Sequence, residues 1–149
     1  MAIRIMRYVS VVMLLCLLGC GDTSTGITTE TTAPPSGTTR SVKADPSYEK
    51  DVWEIFVRNG CSASSCHGGG AGGLSLSTST GSYAMLVGVP SSGTGEVFVI
   101  PSNAAGSYLV KKLDGSQSVG SRMPLGGAAL DATDMKNIKN WINQGAKNN

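Results

Sequence analysis

Aromatic side chains are scarce in this chain: two Phe, two Trp and four Tyr among 149 residues. A domain filled from so small a stock has a limited core, and a buried prosthetic group would relieve that shortage. Histidine is scarcer still, with one in the whole chain. A site needing two imidazoles from this polypeptide is therefore excluded. Charge of one sign is never gathered into a block, so neither nucleic acid nor an acidic surface is indicated as partner. Long apolar runs are missing too, and none spans a bilayer as a helix. The length favours one folded domain.

What stands at the N-terminus is an address. Arg4 and Arg7 precede an uncharged stretch from Tyr8 to Leu18, the length of a signal-peptide core. It runs into Leu17-Leu18-Gly19-Cys20, which resembles the lipobox of bacterial lipoproteins, with Leu18 where a smaller residue is commoner. That resemblance implies a signal peptide over 1–19 and a diacylated Cys20 as the new N-terminus, held at a membrane by its acyl chains. An ordinary cleaved signal peptide or an uncleaved anchor is the alternative, and each places the rest outside the cytoplasm. Removing Arg4 and Arg7 leaves ten charges of each sign.

Residues 20–45 are rich in Thr, Ser, Gly and Pro with almost no large apolar side chain, which predicts a disordered tether. The folded domain is expected over 46–149. Val52, Ile55 and Phe56 fall at helical spacing in a segment from Tyr48 to Asn59, with Ser47 as N-cap and Gly60 as stop. Cys61 to Gly73 reads as loop, Ser82 to Val87 as a short helix, and Glu96 to Ile100 as an extended piece. Gly106 to Leu113 predicts a helix with Tyr108, Leu109 and Leu113 inward, and Gly115 to Ala129 another loop. The last helix, from Asp131 to Ala146, carries Met135, Ile138, Trp141 and Ile142 on one apolar stripe, with Lys136, Lys139 and Asn140 toward water. The fold class expected is all-α.

Chemistry concentrates in Cys61-Ser62-Ala63-Ser64-Ser65-Cys66-His67, where the sole histidine directly follows the second of two thiols. Two thiols can add across the vinyl groups of haem to give stable thioethers, and an adjacent imidazole then lies under the iron as proximal ligand. The usual spacer is two residues; here it is four, all small. A Cys61–Cys66 disulfide is the competing reading in an oxidising compartment. Zinc would lack a fourth ligand, and a redox dithiol would prefer a two-residue spacer opening a helix.

With no second histidine, a thioether is the natural sixth ligand. Met85 lies in a short apolar run and Met135 on the C-terminal stripe, both suited to packing. Met123 sits in a glycine-rich loop between Arg122 and Pro124, and Pro124 would stiffen a loop that brings sulfur to iron. Met123 is therefore the candidate distal ligand.

The order of these pieces resembles class I cytochrome c domains, and more narrowly those of bacterial surface lipoproteins and planctomycete-type cytochromes. It runs Cys66-His67-Gly68, Gly72-Gly73-Leu74-Ser75-Leu76, Pro101-Ser102 with Gly106-Ser107-Tyr108-Leu109, Arg122-Met123-Pro124, then Trp141-Ile142-Asn143-Gln144-Gly145-Ala146. Ser102 departs from a position often held by Gly. The resemblance spans Tyr48 to Ala146. It implies a small cytochrome c-like fold whose first and last helices cross through Val52, Ile55, Phe56, Ile138, Trp141 and Ile142. One covalent haem c would sit between the His67 and Met123 loops. A backbone carbonyl within Gly70–Gly73 would orient the imidazole.

The expected function is one-electron transfer at the cell envelope, on the periplasmic face or cell surface. Its partners would be redox proteins and a membrane reached through the lipid, with no small-molecule substrate. A haem enzyme would need an open sixth position and a polar distal pocket. The alternatives are a haem-free envelope lipoprotein module with a Cys61–Cys66 disulfide and a haem domain serving an enzyme complex.

Overall fold

The computed structural model describes residues 40–149. The signal peptide expected over 1–19, the lipid acceptor Cys20 and the tether up to residue 39 lie outside the described residues. Four α-helices, a π-helical turn and two short 3-10 turns make up the described chain, and extended backbone pairs only through two isolated bridges. The fold is all-α.

Ser47 opens the first helix: its hydroxyl accepts from the Lys50 amide at 3.4 Å. A π-helical turn, Tyr48–Val52, continues as α1, Trp53–Arg58. Asp131 caps α4, Ala132–Asn143, by accepting from the Asp134 amide at 2.9 Å. The helix ends three residues short of the expected Ala146, because Gly145 turns left-handed at φ 98°. Val52, Ile55 and Phe56 on one side and Ile138, Trp141 and Ile142 on the other are each no more than 2 % exposed. Burial of such side chains is worth about 1.5–3 kcal/mol each.

Trp141 anchors this seam. Its ring lies 5.0 Å from that of Tyr48, and its indole N–H donates to the Lys147 carbonyl at 2.8 Å. Burial pushes the Tyr48 phenol up to about 12, and its hydroxyl pairs with Ser82 at 2.5 Å. At the edge of the seam, one Arg58 nitrogen donates to both Asp134 oxygens at 2.7 Å, tying α1 to α4.

Residues 40–45, which composition assigns to the tether, lie along α4. Asn137 holds them at both polarities: its side chain accepts from the Lys43 amide at 2.8 Å and donates to the Ser41 carbonyl at 3.0 Å. Asn140 donates to the Lys43 carbonyl at 2.6 Å, so this expected water-facing residue is partly covered. Arg40 pairs with Asp131 and Asp134.

Two further helices complete the frame. α2, Ser79–Leu86, begins three residues before the expected start because Thr78 caps it, accepting from the Gly81 amide at 3.1 Å. α3, Tyr108–Asp114, buries Tyr108, Leu109 and Leu113 as expected, and Val110 as well. The segment expected to be extended supplies both bridges, Val97 antiparallel to Pro90 and Val99 parallel to Val87.

Candidate functional site

The site begins where α1 ends. The Cys61 amide donates to the Phe56 carbonyl at 2.9 Å, so the first thiol is fixed by the helix terminus. The spacer then folds back on itself: the amides of Cys66 and Gly68 donate to the Ala63 carbonyl at 2.9 and 3.0 Å, and that of His67 to the Cys61 carbonyl at 3.1 Å. This closeness explains Gly68 and Gly69. A Cβ on Gly68 would lie 2.1 Å from the Ser62 carbonyl oxygen, and one on Gly69 2.3 Å from that of Ser64. The four small spacer residues and the glycine run are two halves of one packed turn.

Two 3-10 turns, His67–Gly69 and Ala71–Gly73, follow within the expected loop. They set the imidazole. Nδ1 of His67 lies 2.8 Å from the Ala71 carbonyl oxygen, which can only accept. Nδ1 therefore carries a proton, so in the neutral ring the free lone pair is on Nε2. Ala71 supplies the carbonyl that sequence alone could not single out within its run. The Leu76 amide donates to the His67 carbonyl at 2.8 Å, pinning the same residue through its backbone.

Cys61 and Cys66 are both unbonded thiols, the first half-buried and the second exposed. Burial, and to a lesser degree the neighbouring Cys66, pushes the Cys61 thiol up. A redox dithiol needs the opposite shift, toward a stable thiolate.

Met123 arrives from the other side of the chain. Its amide donates to the Lys112 carbonyl at 2.8 Å, joining the loop to α3. Arg122 braces the same loop by donating to the Gly127 carbonyl at 2.8 Å.

Cys61, His67 and Met123 line one cavity of about 380 Å³. Its walls are mainly apolar, from Phe56, Leu74, Leu76, Phe98, Leu109 and Leu113. Cys66 does not line it, nor do Met85 and Met135, which pack against the core. Among the described residues, no group of three or more His, Cys, Asp or Glu side chains could hold a metal ion. A zinc site is thus short of ligands, whereas a macrocycle supplying its own nitrogens is not.

Sequence reasoning missed the polar part of the lining. Ser91, Ser92 and Thr94 belong to it, and so does Lys112, the one Lys or Arg in a lining without Asp or Glu. Nothing in periodicity marks residues 91–94; they reach the cavity through the bridge of Pro90 to Val97. No protein-family model, curated protein or solved structure matches this chain.

Proposed function

We propose that this chain is a monohaem c-type cytochrome, an exported, Cys20-lipidated carrier of single electrons with a small class I cytochrome c fold. One observation carries the reading: Met123, far along the chain from Cys61 and His67, lines the same largely apolar cavity as they do.

Cys61, His67 and Met123 fit haem c from within the cavity, while the exposed Cys66 thiol, next to His67 in the chain, would have to meet the porphyrin edge from outside its lining. His67 would bind the iron through Nε2, the nitrogen left free because Nδ1 is committed to Ala71. Met123 would supply a thioether from the Lys112-anchored loop, and the sulfurs of Cys61 and Cys66 would hold the porphyrin covalently. When bound, haem supplies an Fe(III)/Fe(II) couple, whose potential a thioether raises relative to two imidazoles. The chain's own part would be to present the His67 nitrogen and the Met123 sulfur to one cavity and to keep water away with Phe56, Leu74, Leu76 and Leu113. Two protein ligands leave no open position for substrate, which favours a carrier over an enzyme. Redox proteins meeting the cavity edge are the partners this implies.

The test is optical. The protein exported from a bacterial host with haem-attachment machinery should give a c-type spectrum in alkaline pyridine. Its oxidised form should show the long-wavelength band of Met–iron ligation. Met123→Ala should abolish that band while Met85→Ala keeps it. A band surviving in Met123→Ala refutes the ligand assignment, and a missing c-type spectrum refutes the cytochrome.

A further inference from the structure

Apart from the His67 imidazole, assigned above to iron, the cavity carries a cation and hydroxyls but no carboxylate. Its lining contains no Asp and no Glu, and its one Lys or Arg is Lys112, whose ammonium has three donors and no acceptor. One of those donors reaches the Ser121 carbonyl at 2.5 Å, leaving two for a ligand. The hydroxyls of the 91–94 segment are similarly biased. Ser91 Oγ accepts from the Gly93 amide at 3.3 Å and Thr94 Oγ1 from the Glu96 amide at 3.2 Å, so each keeps its proton to give. A cavity with apolar walls and only donors for its charged contact matches a flat apolar molecule bearing an anionic edge. Lys111 makes a natural comparison. It is the next residue on α3, pairs with Glu96 at 2.5 Å and does not line the cavity.

We infer that Lys112 pairs with a carboxylate of the molecule that fills this cavity, and that the O–H donors of residues 91–94 serve the same anionic edge. The inference rests on the haem reading, in which that carboxylate is a haem propionate. A fixed cation beside the propionate offsets its negative charge and so favours the reduced iron, raising the potential; in a partly water-excluded site this is weakly screened by salt.

The experiment is redox titration of the haem-loaded, exported protein at fixed pH and low ionic strength, with the Met–iron band recorded for every variant. Lys112→Met should lower the midpoint potential while keeping the band, Lys112→Arg should restore the wild-type value, and Lys111→Met should shift it distinctly less. A Lys112→Met potential equal to wild type overturns the pairing. So does a shift equal to that of Lys111→Met, which would mark a general field effect. Loss of the Met–iron band in Lys112→Met overturns it too, making Lys112 a brace of the Met123 loop through Ser121. A wild-type chain without covalent haem removes the cytochrome itself, an outcome separate from these.

Discussion

Substituting one methyl group tests the packed turn that carries the site. In Gly68→Ala the added Cβ would lie 2.1 Å from the Ser62 carbonyl oxygen and 2.8 Å from that of Ala63. A carbon–oxygen contact normally needs about 3.3 Å, so the spacer backbone must move by roughly 1 Å. Backbone cannot swing aside as a side chain can, and the Ala63 carbonyl that receives two amides sits at the collision. The cost belongs at the top of the range for overpacking, about 3 kcal/mol. With an m-value of about 2 kcal/mol per molar urea, the unfolding midpoint should fall by roughly 1.5 M. Gly70→Ala is the matched control. It has open space around it but a left-handed φ of 80°, and should cost only about 1 kcal/mol. Urea denaturation of the exported protein with its three variants, including Gly69→Ala, reads the order directly. A Gly68→Ala protein no less stable than Gly70→Ala would refute the folded-back spacer.

Other substitutions probe the frame. Arg58→Ala removes the shortest contacts of the Asp134 carboxylate, which is 3 % exposed and keeps Arg40 and Asn59 at 3.3 Å, and should cost about 1–2 kcal/mol in denaturant titration; a loss below about 0.5 kcal/mol would mean the pair contributes nothing. Ser102→Gly should stabilise by about 0.5 kcal/mol, since Ser102 holds φ 62° and glycine relieves that strain while returning part of the gain as unfolded-chain entropy. Thermal unfolding checks it, and a lowered Tm would contradict it. Asp131→Asn keeps an N-cap but removes a carboxyl held below its ordinary range, first by the Asp134 amide and then by Arg40. A depressed folded pKa means the ionised form favours folding. That contribution is complete above the unfolded value of about 3.9 and is lost as pH falls through the lower folded one. The stability gap between wild type and Asp131→Asn should therefore narrow on acidification; a gap that widens would reverse the sign.

The core was legible because helical spacing alone picks out its residues. Val52, Ile55 and Phe56, with Ile138, Trp141 and Ile142, need only a period of 3.6 to be recognised, and all are buried. Of the candidate donors picked from the sequence, Cys61, His67 and the loop methionine Met123 come together on one cavity, whereas Cys66 stays outside its lining. What periodicity could not carry is contact between distant backbone and side chain. The Ala71 carbonyl became the partner of His67 through the path of two 3-10 turns in a glycine run, where every residue looks alike. Only the approach of α1 to α4 joins the exposed Arg58 to the buried Asp134 carboxylate, a contact that spacing within either helix does not show. Composition also averaged over the Ser41–Lys43 backbone. The Asn137 and Asn140 amides take it up, and their spacing with Asp134 on one face of α4 is the signal that was available.

Everything assigned to the cavity depends on a porphyrin bonded through Cys61 and Cys66. Intact-mass spectrometry of the mature chain, made in a host that attaches haem, measures this without relying on spectra. The account predicts the mass of the lipidated polypeptide plus one haem, with the addition retained after denaturation and lost as a covalent adduct in the Cys61→Ala, Cys66→Ala double variant. A mass equal to the bare lipidated chain, or a haem that washes away on denaturation, would contradict it.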